Sequence, residues 1–297
     1  MNNLKIHKNQ CKEDVLNNIQ VTKDHTEYTI GKTLFGASNI GNRNIQEDSF
    51  IIMEHPIIEN LKLIAVADGL GGRQDGEKIS NYVIKWIINW FENIDIQKIN
   101  DIRKLKTELM YMRYDIKSNL DFSFIAATTL SLALIGKNKT LIANIGDSRI
   151  YTLENSHLQK ETRDDSEVQN LLEDKQIISE ELIRFHKRSN YLTNAISSSL
   201  GHMITYKIID NTYDQIIAVT DGVTSSLSAK QLENILINNK SDNIAKQIVD
   251  TALITNSYLK DIISELGEEK QKITQEDYIS EIKGGIDNTT AAVYIRK

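Results

Sequence analysis

Apolar positions recur along this chain in two periods. Short, nearly continuous apolar runs fill LKLIAVA (61–67), TTLSLALI (128–135), TLIANI (140–145), QIIAVT (215–220) and NTTAAVYI (288–295). Runs of that length, bounded by Gly, Asn and Asp, predict strands. Gly136-Lys137-Asn138-Lys139 separates the second from the third and marks a hairpin. Ile150-Tyr151-Thr152-Leu153, after Gly146-Asp147-Ser148-Arg149, extends the series. The segment 77–92 is spaced differently. Ile79, Val83, Trp86, Ile87 and Trp90 fall three or four residues apart, on one face of a helix, and both Trp read as core. Segments 100–119, 165–174, 178–186, 229–238 and 242–264 also read as helices. Strand runs, a helix pair, strand runs and a second helix pair predict an α+β protein with helices layered over sheets.

Residues 1–30 are polar and without sustained period, and are expected to be an irregular lead-in. No repeat or Gly/Ser/Pro-rich linker divides the remainder, so 31–297 is expected to be a single domain. The first residues, MNNLKIHKNQ, lack the apolar core of a signal peptide. No apolar run approaches the roughly 20 residues that cross a bilayer. Cys11 is the single cysteine, which excludes an internal disulfide or a Cys-rich zinc site and fits a reducing compartment. The expectation is a cytoplasmic, monomeric protein with no membrane association. Over 297 residues, 35 Lys and Arg against 41 Asp and Glu give a net charge of −6. That balance argues against nucleic acid as a partner, which would call for a basic face.

The chemistry points to the acids that end the strands. Asp48, Asp68, Asp147, Asp221 and Asp287 sit at predicted strand ends or in tight turns, most of them flanked by glycine. Examples are Asp68-Gly69-Leu70-Gly71-Gly72, Asp221-Gly222 and Gly284-Gly285-Ile286-Asp287. A single Asp in such a place is ordinarily a turn former. Five in one setting point elsewhere, because carboxylates gathered in a pocket repel unless a cation neutralises them. Hard divalent ions take oxygen ligands, so Mg²⁺ or Mn²⁺ fits this chain better than Zn²⁺. A pair of such ions activates water and stabilises an in-line phosphoryl displacement. Arg43, five residues before Asp48, is the candidate anchor for a phosphate, which guanidinium matches in bidentate geometry.

These residues resemble, in order, the motifs of the metal-dependent Ser/Thr protein phosphatases, the PPM or type 2C family, in its bacterial form. FGASNIGNRNIQEDSF (35–50) resembles the opening motif, and IAVADGLGG (64–72) the metal-bridging Asp-Gly motif. AATTLSLALI (126–135) and IANIGDSRIYTL (142–153) resemble the central hairpin and its Gly-Asp-Ser-Arg turn. ETRDDS (161–166) and HKRSNYLTNAISSSLG (186–201) resemble the segments around the flap and the helix after it. IIAVTDGV (216–223) and GGIDNTTAAVYI (284–295) resemble the last two metal motifs.

The resemblance implies a β-sandwich of two antiparallel sheets flanked on both faces by helix pairs, an α-β-β-α arrangement with the metals at one end. It implies that Asp68 bridges two Mn²⁺ or Mg²⁺ ions and that the Gly69 carbonyl and Glu47 complete one shell, largely through water. Asp48 would bind or orient metal-bound water, Asp221 and Asp287 would hold the second ion, and Arg43 would bind the substrate phosphate. Asp147, with Asp221, would mark a third, weaker metal site. The implied activity is hydrolysis of phosphoSer and phosphoThr in proteins by a metal-activated water, without a covalent phosphoenzyme, with a cognate Ser/Thr kinase as a partner.

Some positions depart from the family pattern. Leu70 stands where many eukaryotic members carry a His proposed as general acid, Ala127 replaces a common Gly, Asp165 a common His and Lys187 a common Pro. Asp165 is expected to alter surface or flap chemistry, and Lys187 to loosen the flap. His186 is expected to be structural. The interval from Asp221 to Asp287 is longer than in compact bacterial members, and GEEKQKITQED (267–277) within it reads as a solvated loop or helix end. The rival readings are a catalytically silent regulatory module of the same fold, a small-molecule phosphomonoesterase, and a nuclease. The last is disfavoured by the acidic balance and the lack of basic-aromatic stripes.

Overall fold

The computed structural model describes residues 25–70, 75–95, 102–119, 126–177, 179–197, 203–239, 241–266, 273 and 275–296. The strands, in chain order, are β1 (His25–Ile30), β2 (Leu34–Asn39), β3 (Asp48–Glu54), β4 (Lys62–Leu70), β5 (Ala127–Thr128), β6 (Leu130–Ile135), β7 (Lys139–Ile145) and β8 (Arg149–Glu154). There follow β9 (His157–Lys160), β10 (Ile196–Ser197), β11 (Thr205–Asp210), β12 (Gln215–Val219), β13 (Ser257–Tyr258), β14 (Glu281–Ile282) and β15 (Thr289–Ile295).

One antiparallel sheet has the order β1-β2-β15-β12-β8-β9. The other runs β10-β5-β4-β6-β7-β11, with β3 paired to β4. The inner faces meet in a core that contains Leu34, Ile52, Ile64, Ala133, Ile142 and Ile216. Strands covered on both faces need apolar residues on both, which explains why LKLIAVA and LSLALI are continuous rather than alternating. Ile64 and Val66 of β4 face the opposite sheet, while Leu63, Ala65 and Ala67 face the helices outside. Those helices are Asp75–Glu92 and Ile102–Asn119. Their stripe of Val83, Ile87, Phe91, Leu109 and Met112 is buried on that sheet. Trp90 is buried as expected, its indole N–H donating to Glu108 at 3.0 Å. Helices Ala229–Ile237 and Ile244–Ile254 cover the other sheet through Leu232, Leu236, Ile248 and Val249. The expected α-β-β-α arrangement of antiparallel sheets and helices is therefore present.

Three local expectations are corrected. The irregular lead-in stops short of residue 30, because His25–Ile30 forms an edge strand in full register with β2; residues 1–24, with Cys11, lie outside the described residues. The helix expected over 242–264 is two, Ile244–Ile254 and Leu259–Glu265, interrupted where Ser257–Tyr258 pairs with β14. That pairing is long-range, so no local period announces it. The helix expected over 178–186 is reduced to Glu180–Ile183. Asp221 follows the end of β12, as expected, but the turn there continues as the helix Asp221–Ser226. No helix among the described residues is long and apolar enough to cross a membrane.

Candidate active site

Sheet topology carries the acids to one end of the sandwich. β3 begins at Asp48 and β4 runs antiparallel beside it, so Asp48 and Asp68 are direct cross-strand partners. β12 ends just before Asp221 and β15 begins just after Asp287, and their antiparallel register sets Val219 against Ala291. Asp147 lies in the turn from β7 to β8, and β8 pairs with β12 with Arg149 opposite Val219. The ends of β3, β4, β12 and β15 and the turn from β7 to β8, scattered along the sequence, thus lie at the same edge.

Asp48 is the most enclosed of these carboxylates, 1% exposed. Its Oδ2 accepts hydrogen bonds from the Thr220 hydroxyl at 2.8 Å and the Thr290 hydroxyl at 2.7 Å. Its Oδ1 is buried with no hydrogen-bond partner. Burial pushes the acid up to about 8, against those two hydroxyl bonds and with added repulsion from Asp221 and Asp287. Asp68 and Asp221 are close enough for each to act on the ionisation of the other. Asp68 is held well above the usual carboxylate range by burial and by the charges of Asp221, Asp48 and Asp147. Asp221 is pushed up to about 6 by burial and by Asp287, against the pull of Asp68 and Arg43. Asp147 is raised by burial, then by Asp221 and Asp164, with Arg149 acting the other way. Without a counterion this end of the molecule favours protonated acids.

The loops that present these groups are tightly braced. The Asp68 N–H donates to the Thr129 hydroxyl at 3.0 Å, and the Asp68 carbonyl accepts from the Thr129 N–H and the Thr128 hydroxyl, both at 2.9 Å. The Gly69 N–H donates to the Glu47 carbonyl at 3.1 Å. A side chain on Gly69 would run into the Gly76 and Glu47 carbonyls, so only glycine lets this turn close over the helix Asp75–Glu92. Asn288 ties the two halves of the rim. Its Oδ1 accepts from the Glu47 N–H at 2.8 Å, and its Nδ2 donates to the carbonyls of Ile40 and Ile45. Arg43 stands at the mouth, its side chain 48% exposed, with Nη2 donating to Asp287 Oδ2 at 2.7 Å.

The sequence-selected residues Arg43, Glu47, Asp48, Asp68, Gly69, Asp147, Asp221 and Asp287 are all at this end. Among the described residues, however, no three Asp, Glu, His or Cys side chains are closed up as a metal cage. Several supporting residues were not anticipated. Thr220, Asn288 and Thr290 adjoin Asp221 and Asp287 in sequence, and that adjacency was the one available signal. Arg149 makes a bidentate pair with Asp164 behind Asp147, at 2.9 and 2.6 Å to Oδ2. Asp165, expected to alter surface or flap chemistry, is mostly enclosed, its side chain 13% exposed. Its carboxylate accepts from the Gly146 N–H and Asn194 Nδ2, both at 3.1 Å, pinning the Gly-Asp-Ser-Arg turn to the segment that follows. His186 is structural, as expected. Its Nδ1 accepts from the Arg188 N–H at 3.1 Å and its ring stands edge-on to Tyr278.

A family model described as Protein phosphatase 2C matches residues 35–263, most of the chain. This chain belongs to the protein phosphatase 2C family. The serine/threonine phosphatase stp of Listeria welshimeri is 29% identical over 206 residues, spanning 67% of this chain and 80% of that protein. The serine/threonine protein phosphatase PstP of Mycobacterium tuberculosis is 24% identical over 204 residues, spanning 67% of this chain and 39% of that protein. The crystal structure of Stp1 from Staphylococcus aureus superposes with a TM-score of 0.68 at 20% identity, covering 93% of this chain and 100% of that one. The catalytic domain of PstP in complex with 2 manganese ions gives 0.66 at 21% identity, covering 88% and 96%. These structures share the fold. Family membership makes this chain a phosphoprotein phosphatase, a hydrolase of phosphoric monoesters.

Proposed function

We propose that this chain removes phosphate from phosphoserine and phosphothreonine in proteins at a binuclear Mn²⁺ or Mg²⁺ centre built on Asp68. The carrying observation is the convergence on Asp48, whose direct cross-strand partner is Asp68 and whose Oδ2 accepts from Thr220, the residue before Asp221, at 2.8 Å. Carboxyl groups in that position share protons or share cations. The donor set fits hard divalent ions, being oxygen throughout, and the buried, unpartnered Asp48 Oδ1 is a free acceptor in the same place.

In this reading Asp68, the Gly69 carbonyl and Glu47 would hold one ion, and Asp68 with Asp221 and Asp287 would hold the other. Asp147, facing Asp221, belongs to a weaker third site. Such ions supply Lewis-acid activation of water and of phosphoryl oxygens. The protein's own groups do the rest. Arg43 has one guanidinium nitrogen engaged by Asp287, and the half-exposed remainder of its fork is assigned to the substrate phosphate. Asp48, fixed by two hydroxyls, orients the attacking water. Leu70 offers no proton where a His would, so no side chain is assigned to leaving-group protonation. The proposal takes the chain to act as a monomer, with the substrates of a Ser/Thr kinase in the same cell as its partner proteins.

The test is release of phosphate from phosphoserine and phosphothreonine peptides with Mn²⁺, followed by a chelator. Mn²⁺-dependent release that the chelator abolishes is expected, with weaker action on sugar phosphates. No release from peptides alongside rapid cleavage of sugar phosphates would make the protein a small-molecule phosphomonoesterase instead. Tight Mn²⁺ uptake by calorimetry is expected, and its absence would point to a silent module.

A further inference from the structure

The long interval between Asp221 and Asp287 is not a loop added to the surface. Within it, residues 257–266 and 275–282 share an apolar core with the flap helices Glu167–Glu173 and Glu180–Ile183. Val168, Leu182, Ile183 and Phe185 pack there against Leu259 and Ile282. Main-chain bonds seal the join. The Lys187 N–H donates to the Asp277 carbonyl at 2.9 Å, and the Ile279 N–H to the Phe185 carbonyl at 2.8 Å. Lys187, expected to loosen the flap, is therefore the residue whose N–H holds it, a bond that proline could not make. Flap and insertion form one unit.

That unit faces the acidic end across a cleft, with Ser166, Ser189 and Asn190 on one wall and Asp147 and Asp221 on the other. Arg184 connects the two walls. It leaves the flap helix and buries its side chain to 9% exposure. Its Nη1 donates to the Ser226 carbonyl at 3.1 Å and to the Ser257 hydroxyl at 3.2 Å, and that hydroxyl donates to the same carbonyl at 3.2 Å. Ser226 ends the six-residue helix that Asp221 begins. A cation at a helix C-terminus is favoured by the helix dipole, so both the charge and the geometry of Arg184 are matched to this place. The nearest carboxylate, Glu181 Oε2, lies 3.6 Å from Nη2, and Nε is buried without a partner. The link to the Asp221 helix is thus the main anchorage of this side chain.

We propose that Arg184 is a positioning residue that clamps the flap–insertion unit onto the Asp221 helix and fixes the cleft against which the residues flanking the phosphoamino acid of a protein substrate are held. The inference rests on the protein-phosphatase reading above. A small aryl phosphate needs the carboxylates and Arg43 but not that wall. A peptide engages it and draws on remote contacts to hold its phosphate in place.

The experiment uses the full chain loaded with Mn²⁺, with p-nitrophenyl phosphate and a phosphothreonine peptide as paired substrates, for wild type, Arg184→Met, Arg184→Lys and Ser257→Ala. With Arg184→Met, kcat/KM for the peptide is expected to fall on the order of tenfold, the size of one or two lost charge-assisted hydrogen bonds, mainly through KM. The aryl phosphate should change less than about twofold, as should Mn²⁺ affinity by calorimetry. Arg184→Lys should recover part of the peptide loss by keeping one donor and the charge. Ser257→Ala keeps the Ser226 carbonyl bond and should show the same substrate split at smaller size, which keeps the test decisive if Arg184→Met does not fold. Equal losses on both substrates, or no loss on the peptide, would overturn the clamp alone. A wild-type enzyme that cleaves the aryl phosphate but no peptide would overturn the substrate assignment, and the clamp with it.

Discussion

Asp48 on β3 and Thr290 on β15 are joined by a 2.7 Å hydrogen bond that passes from one sheet of the sandwich to the other. Behind it runs a relay in which Gln46 Nε2 donates to Ser38 Oγ at 2.9 Å, and Ser38 and Thr290 are linked at 2.8 Å. The Gln46 side chain also accepts from the Asp48 N–H at 3.0 Å. A carboxylate this deep needs such donors to be tolerated at all. The relay fixes the separation of the sheets where the other acids converge. Thr290→Val keeps the shape and removes the donor, so it should cost about 1–3 kcal/mol. Thr290→Ser should cost less. Urea unfolding of the two variants beside wild type measures the difference.

Asp68→Asn and Asp221→Asn should move stability and activity in opposite directions. Each removes one of two acids raised by burial and by neighbouring carboxylates. In chelator at neutral pH the variants should melt higher than wild type, by about 2–4 °C for each kcal/mol of relieved repulsion. Mn²⁺ should no longer raise the melting temperature, and hydrolysis of p-nitrophenyl phosphate should be lost. Wild-type turnover in both variants, with the fold intact, would remove the basis for a centre built on Asp68.

The metal-free protein should lose stability as pH rises. Folding raises Asp221 from 3.8 to about 6 and Asp48 from 3.8 to about 8, so the native state binds protons that the unfolded chain has already released. Their contribution is complete below pH 3.8 and is lost as pH climbs through 6 and then 8. Each group sets a slope of at most about 1.4 kcal/mol per pH unit. Urea unfolding in chelator at acidic and alkaline pH should show the decline, and saturating Mn²⁺ should remove it by taking the place of the protons. A chelated protein as stable at pH 8 as at pH 5 would contradict it.

Arg43→Ala should raise KM for p-nitrophenyl phosphate on the order of tenfold or more, the loss of a charged phosphate contact. Arg43→Lys should restore only part, because a point charge cannot reproduce the two-pronged contact. The melting temperature should change little, since the Arg43–Asp287 pair is at the exposed rim, where ion pairs contribute about 0–1 kcal/mol. Steady-state kinetics with a thermal melt separates binding from folding. A large stability loss would recast Arg43 as a rim brace.

The layer architecture was legible because each strand run is long, apolar and closed by a turn residue, and each covering helix carries a clean stripe such as Ile79, Val83 and Ile87. The acids were legible because glycine marks the turns that hold them. The four-residue helix at 180–183 and the break at 255–258 were not, since long-range pairing with residues 277–282 overrides the local helical period there. Nor were Thr220, Thr290 and Asn288. A threonine inside a strand run scores as β-former, and nothing local says that its hydroxyl will meet an aspartate on the opposite sheet.

Periodicity and turn chemistry act between near neighbours, so the sequence by itself determined the layers, the strand ends and the kinds of group placed on them. Distances between groups on separate strands depend on sheet register and on how the layers pack, which no local pattern encodes. The tertiary structure alone therefore decided that Asp68 stands opposite Asp48, that Thr290 holds Asp48, and that an arginine in the flap reaches the far end of the Asp221 helix.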